Sequence, residues 1–251
     1  MNQLSSQKRE QIVAALVEGC SIRSIVRMTG ASKNTIAKLL VELGAACSEY
    51  LDKHLVNLNC KRIQRDEIWS FICAKDKNVP VNRRDEFGIG SAWTWVAIDA
   101  DSKLICSWLV GKRDPGCATE FIQDLAGRLA NRVQLTTDGL KMYLTAVADG
   151  FGEDIDYAML VKVYGNDAEG EKRYSPAVCT GCHKETKIGD PDEKHVSTSY
   201  IERQNLTMRM GMRRFTRLTN AFSKKIENHV AAIALHYMYY NLSYAPLRLA
   251  V

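Results

Sequence analysis

No stretch of this sequence approaches the ~20 consecutive apolar residues that a membrane-spanning helix needs, and the longest run, Val230 to Leu235, falls far short of it. An export signal is missing as well: the N-terminal residues carry Lys8, Arg9, Glu10 and Glu18 where an uninterrupted apolar segment would stand. The expectation is a soluble, cytoplasmic chain with no membrane partner. The eight cysteines do not form a disulfide framework; they are scattered from Cys20 to Cys182, mostly inside apolar segments, as reduced thiols are. An N-terminal cysteine-rich zinc finger is absent too. Net charge is modest at +5, which permits a nucleic-acid partner without requiring one. A local absence says more. No acidic residue stands between Arg203 and Lys225, a span that holds Arg203, Arg209, Arg213, Arg214, Arg217, Lys224 and Lys225.

What is present divides the chain. Its 251 residues, 46% apolar, suffice for one large domain or for a small one joined to a medium one. Ile12, Val13, Leu16 and Val17 repeat at helical spacing before Gly19. Ser21 can cap a second short helix carrying Ile22, Ile25 and Val26, Gly30 supplies a turn, and Ser32 caps a third helix with Ile36, Leu39, Leu40 and Leu43 as its buried stripe. Three short helices with a glycine turn before the last describe a helix-turn-helix, expected over residues 1–44. In that motif the start of the last helix meets base edges, so Ser32, Lys33, Asn34, Thr35 and Lys38 are the candidate DNA-reading residues. Against this stands a plain three-helix bundle with a solvated polar face. Cys47, Tyr50, Leu51, His54, Leu55 and Leu58 fall on one face of a further helix, expected as a linker over residues 45–61.

From residue 62 onward the period becomes extended. Residues 63–72, 92–98 and 104–110 read as three strands, with a tight turn at Asp99 to Ser102. Asp114 and Pro115 begin a helix, residues 133–136 form a short strand, 140–148 a helix and 157–163 another strand. The polar stretch from Gly165 to Thr198 reads as a long loop, and a helical segment broken near Gly211 or Thr219 follows. The class is α/β: a mixed five-stranded sheet flanked by helices over residues 62–251, in the element order of the ribonuclease H-like fold.

Three acids in this segment could converge. Asp66 lies inside the first strand amid Ile63, Ile68, Trp69 and Phe71, where burying a carboxylate is costly without a partner or a purpose. Asp138 sits just past the fourth strand, where open sheets expose ligand sites. Glu202 opens the closing helix. Carboxylates meeting at one sheet edge suit two divalent cations ~4 Å apart, which activate the attacking oxygen and stabilise the leaving oxygen of a phosphodiester. Each acid also has a plain structural reading: Asp66 in an ion pair with Arg62 or Arg65, Asp138 in a turn with Gly139, Glu202 as a first-turn helix acid. Glu67 competes with Asp66, and strand alternation sends the two to opposite faces, so that only one is expected to serve.

The segments Asp66-Glu67-Ile68-Trp69, Thr137-Asp138-Gly139 and Ser199-Tyr200-Ile201-Glu202-Arg203-Gln204-Asn205-Leu206, followed by residues 213–220, resemble transposases of the insertion sequence 1 family. The resemblance covers roughly residues 62–240 and, more loosely, the helix-turn-helix. It implies a DDE transposase in which Asp66, Asp138 and Glu202 are catalytic and bind two Mg²⁺ or Mn²⁺ ions. Such an enzyme cleaves double-stranded DNA at the terminal inverted repeats of an insertion sequence and joins the freed ends to target DNA, acting on the bacterial nucleoid as a homo-oligomer. It also implies a basic residue two helical turns after the glutamate, at Arg209, to hold DNA near the scissile phosphate; Arg213 would extend that stripe, and Arg214 and Arg217 belong to the same basic stretch. Cys179, Cys182 and either His183 or His195 could supply a structural zinc site, although free thiols are the favoured reading; His195 could instead line the catalytic site. The competing functions are a helix-turn-helix regulator, a nuclease on the same fold and a catalytically inactive transposase remnant.

Overall fold

A computed structural model describes residues 4–84, 86, 88–165, 179–216 and 219–243. The chain begins with three helices, α1 (Ser6–Val17), α2 (Ile22–Thr29) and α3 (Lys33–His54). Each starts on a serine: the hydroxyls of Ser5, Ser21 and Ser32 accept from the backbone N–H of Lys8, Ser24 and Thr35, which are donors with no partner inside the helix. Gly30 ends α2 in the left-handed conformation, at φ 67°. Ile12, Ile25, Ala31, Ile36 and Leu39 close a small core among the three helices.

The separate linker helix expected over residues 45–61 is instead the second half of α3, which crosses Gly44 without a break and ends at His54. Gly44 is not a helix stop here. A Cβ on it would stand 2.4 Å from Cα of Ala231, so the missing side chain lets a second long helix, α7 (Ile226–Ser243), pack directly against α3.

The rest is built on a six-stranded sheet, one strand more than expected. β1 (Arg62–Ile72), β2 (Gly90–Asp99) and β3 (Ile105–Gly111) form an antiparallel meander. β4 (Gln134–Asp138) and β5 (Asp156–Tyr164) add in parallel on the other side of β1, giving the order β3-β2-β1-β4-β5-β6. The helices α4 (Pro115–Arg128) and α5 (Met142–Phe151) connect these strands, and α6 (Ser199–Gly211) precedes α7. Asp114 caps α4 by accepting from the Cys117 N–H, with Pro115 in the first turn as its fixed φ favours. The break in the closing helical segment falls at Gly211, one of the two places expected.

The added strand is β6 (Cys179–Ile188), antiparallel to β5 at the sheet edge, inside the stretch read as a loop. It shows no apolar alternation because both of its faces meet solvent, and the burial that imposes a period of two on a strand never acts on it.

Both faces of the central strands are covered, and β1 therefore has two unlike sides. Arg65 and Glu67 face α4 and α5, where Trp95 meets Phe121 and Tyr143. Gln64, Asp66 and Ser70 face α6 and α7: Gln64 Oε1 accepts from the N–H of Tyr200 and Ile201, and Ser70 Oγ meets His229. Among the described residues no helix is long and apolar enough to cross a membrane.

The α3–α7 contact is directly testable. Gly44→Ala is expected to cost about 1–3 kcal/mol through overpacking against Ala231. Gly127→Ala, in α4 with nothing within 4 Å of the new Cβ, should be neutral or gain up to about 1 kcal/mol. Denaturant melts of the two variants would check both signs.

Candidate metal centre

The parallel pairing of β1 with β4 runs Arg62 to Gln134, Ile63 to Leu135 and Gln64 to Thr136. Two residues further along each strand, the same register brings Asp66 beside Asp138. One carboxylate oxygen from each of Asp66, Glu67 and Asp138 lies within 4.8 Å of the others, the one such grouping of His, Cys, Asp and Glu among the described residues.

Asp66 is held in place by two donors. Its Oδ1 accepts from the Glu67 N–H at 2.8 Å, and its Oδ2 from Asn205 Nδ2 on α6 at 2.9 Å. Neither Arg62 nor Arg65 pairs with it: Arg62 binds Asp101 and Arg65 binds Glu67. Burial first, then the nearby charge of Glu67, pushes the Asp66 carboxyl up to about 6. Asp138 Oδ1 accepts from the Leu140 N–H at 3.3 Å, which turns the chain into α5.

Glu67 approaches this pair although alternation places it on the other face of β1. Its oxygens are already engaged. Oε1 takes Arg65 NH1 at 2.9 Å and the Tyr143 hydroxyl, and Oε2 takes Arg113 NH2 at 3.4 Å. Burial raises its pKa, and the charges of Arg65 and Arg113 oppose that rise. Arg65 itself is fully enclosed, its guanidinium 3.4 Å from the Tyr143 ring centroid and 5.1 Å from that of Trp95. Glu67 is thus bound by two arginines and Tyr143, whereas, among the described residues, the oxygens of Asp66 and Asp138 meet only neutral amide donors.

Glu202 lies outside the cluster. It stands in the first turn of α6, exposed, with Oε1 accepting from Lys162 Nζ on β5 and from Thr198 Oγ1. Asn205, one helical turn further on, reaches Asp66. The closing helix is therefore docked at the correct end of the sheet by Asn205, while its glutamate is held by a lysine.

The basic residues separate into different environments. Arg209 is partly buried in the last turn of α6. The stripe does not continue helically to Arg213, because α6 ends at Gly211, Met212 is extended, and exposed Arg213 begins a short 3₁₀ turn. Arg214 turns inward: its NH1 donates to Ser223 Oγ and to the Asn228 carbonyl, each at 2.9 Å, and so does not present that group to a phosphate. Arg217 lies outside the described residues. Ser32, Lys33, Asn34, Thr35 and Lys38 are all exposed at the start of α3; Ser32 Oγ is the cap, and Lys38 pairs with Glu42 at 3.7 Å.

The four zinc candidates are not gathered. Cys179 and Cys182 are exposed on β6, His183 pairs with Glu185, and His195 contacts Arg62 and Asp192. Arg62 opens β1 four residues before Asp66, on the order of 13 Å along the strand, so His195 stands at the start of β1 and away from the carboxylates.

No protein-family model matches the chain, and no curated protein matches it. Among solved structures it is similar to a piggyBac transposase synaptic complex with hairpin DNA, at 11% identity and a TM-score of 0.46, over 96% of this chain and 68% of that one. It is also similar to a Mos1 transposase paired-end complex with the left transposon end, at 14% identity and a TM-score of 0.26, over 60% of this chain and 58% of that one.

Two stability effects follow from the site. A carboxyl whose pKa is raised from 3.8 to about 6 binds its proton more tightly in the folded chain, so its ionisation removes stability as pH rises through that window. Asp66→Asn should therefore stabilise the metal-free protein by roughly 2–3 kcal/mol above pH 7 and by little near pH 4; unfolding of both proteins across pH 4–8 measures it. The Asn205 amide can turn its Oδ1, which has no hydrogen-bond partner, toward the new amide. Arg65→Met, by contrast, strips buried Glu67 of its nearest cation and should cost about 3–5 kcal/mol, part of it recovered in Arg65→Met/Glu67→Gln by the same measurement.

Proposed function

We propose that this chain is a DNA transposase of the DDE type, with Asp66 and Asp138 as two metal ligands and Glu202 as the third. The observation that carries the reading is the convergence of Asp66 on β1 with Asp138 at the end of β4, two partly buried carboxylates side by side, with α6 tied to Asp66 through Asn205. Two acids this close, one with its pKa near 6, repel each other in a way that a divalent cation relieves, and an all-oxygen donor set suits Mg²⁺ or Mn²⁺. Such ions, when bound, supply activation of the attacking oxygen and stabilisation of the leaving one.

The chain's own groups would do the rest. Asn205 fixes the Asp66 carboxylate and ties α6 to β1. Glu67 keeps Arg65 and Arg113 bound, so that these cations do not pair with the ligands themselves. Arg209 and Arg213 would lie along the DNA backbone, where phosphate contacts set position and not sequence. Residues 1–44 act in this reading as a helix-turn-helix, with Ser32, Lys33, Asn34, Thr35 and Lys38 at the terminal inverted repeats of an insertion sequence. Synapsis of two DNA ends would call for a homo-oligomer. The likeness of the sequence motifs to the insertion sequence 1 family supports this assignment.

Labelled DNA carrying the element's terminal repeats, incubated with Mg²⁺ or Mn²⁺, tests it. The expected outcome is nicking and strand joining that require metal and fall at least about 10³-fold in Asp66→Asn, Asp138→Asn and Glu202→Gln. Sequence-specific binding with no cleavage under any metal condition would instead identify a regulator or an inactive remnant.

A further inference from the structure

Among the described residues, Lys162 makes an ion pair with a proposed metal ligand, Glu202. It stands on β5, two residues past Leu160, which pairs with Asp138 across the β4–β5 register. Strand alternation therefore sends its side chain to the same face as that of Asp138. Its Nζ donates to Glu202 Oε1, and the charge of Asp66 also acts on it. Thr198 Oγ1 binds the same oxygen of Glu202 from the residue before α6. Meanwhile α6 is already seated against β1, since Asn205 holds Asp66 and the first N–H groups of the helix bond Gln64. The helix is thus docked on β1, while its glutamate side chain is engaged by Lys162 and Thr198.

We propose that Lys162 is a built-in counter-ion of the metal-free site: it holds Glu202 apart from Asp66 and Asp138 and releases it when a divalent cation binds. Lys162 is then a positioning residue that competes with metal. An ammonium near three carboxylates lowers their mutual repulsion while metal is absent, and a divalent cation ligated by the same oxygens replaces it. The rearrangement falls to the side chains of Lys162 and Glu202, both of which are partly open to solvent. This inference rests on the metal-binding reading given above.

The test is Mn²⁺ titration of the full chain without DNA, followed by the loss of the free-ion electron paramagnetic resonance signal. Removing an ion pair of this exposure should tighten the midpoint in Lys162→Met by about two- to five-fold, while Lys162→Arg stays close to wild type. A double-mutant cycle separates release of Glu202 from a plain field effect: in the Glu202→Gln background the gain from Lys162→Met should vanish. A midpoint unchanged or weakened in Lys162→Met, or a gain that persists without Glu202, overturns the counter-ion role and leaves the metal site standing, provided Asp66→Asn still abolishes binding. Wild-type protein that binds no Mn²⁺ overturns both. Circular dichroism melts without metal provide the second readout, in which Lys162→Met should lower the midpoint through uncompensated carboxylate repulsion.

Discussion

The arrangement depends on the burial of Arg65. A lone carboxylate within a central strand is expensive, and here Asp66 and Glu67 are consecutive in β1, with Asp138 alongside. Arg65 stands on the same face of β1 as Glu67, enclosed by Trp95, Phe121 and Tyr143, and its positive charge opposes the repulsion felt by both Asp66 and Glu67. The cation lies beneath the sheet and the candidate ligands lie above it. Because the aromatic rings enclose Arg65, it stays in position as a fixed charge and does not swing across to pair with Asp66, which would remove the oxygens that a metal needs. Burial lowers its own pKa, so the arginine bears part of the cost of keeping the acids together.

Legibility in the sequence followed burial. The strands of β1, β2, β3 and β5 and the capped helices α1, α2 and α4 were readable because a half-buried or capped element leaves a period or a cap residue. β6 was not, since an edge strand solvated on both faces is under no apolar selection. The continuity of α3 was hidden for a different reason: glycine at 44 is locally a helix breaker, and only its contact with Ala231, far along the chain, explains it. The same limit applies to the site. Asp66 and Asp138 stood out by position, one an acid within an apolar strand and the other at a strand end, and the structure sets them side by side. Lys162 and Asn205 could be assigned only once the β4–β5 register and the docking of α6 were known. Asn205 did lie in plain view three residues after Glu202, within one helical turn.

The long α3 also alters how the two parts of the molecule relate. A separate linker helix would permit the N-terminal helices to swing, whereas a single helix from Lys33 to His54, packed along α7, makes the exposed start of α3 and the sheet parts of one body.

The basic stretch shows why charge counts alone mislead. Arg214 NH1 donates to Ser223 Oγ, and Ser223 in turn faces His229 Nδ1; His229 Nε2 meets Ser70 Oγ, which donates to the Ala92 carbonyl. Burial and the nearby Arg214 charge hold His229 neutral, its pKa lowered to about 3, so one tautomer satisfies every group: Nε2–H donates to Ser70 and Nδ1 accepts from Ser223. This chain of bonds ties α7 and the segment after α6 to the last part of β1 and the first part of β2. It fixes α7 on one side to the sheet while α7 packs on the other against α3, and Arg214, within the basic stretch, is the cation at the start of that chain of bonds.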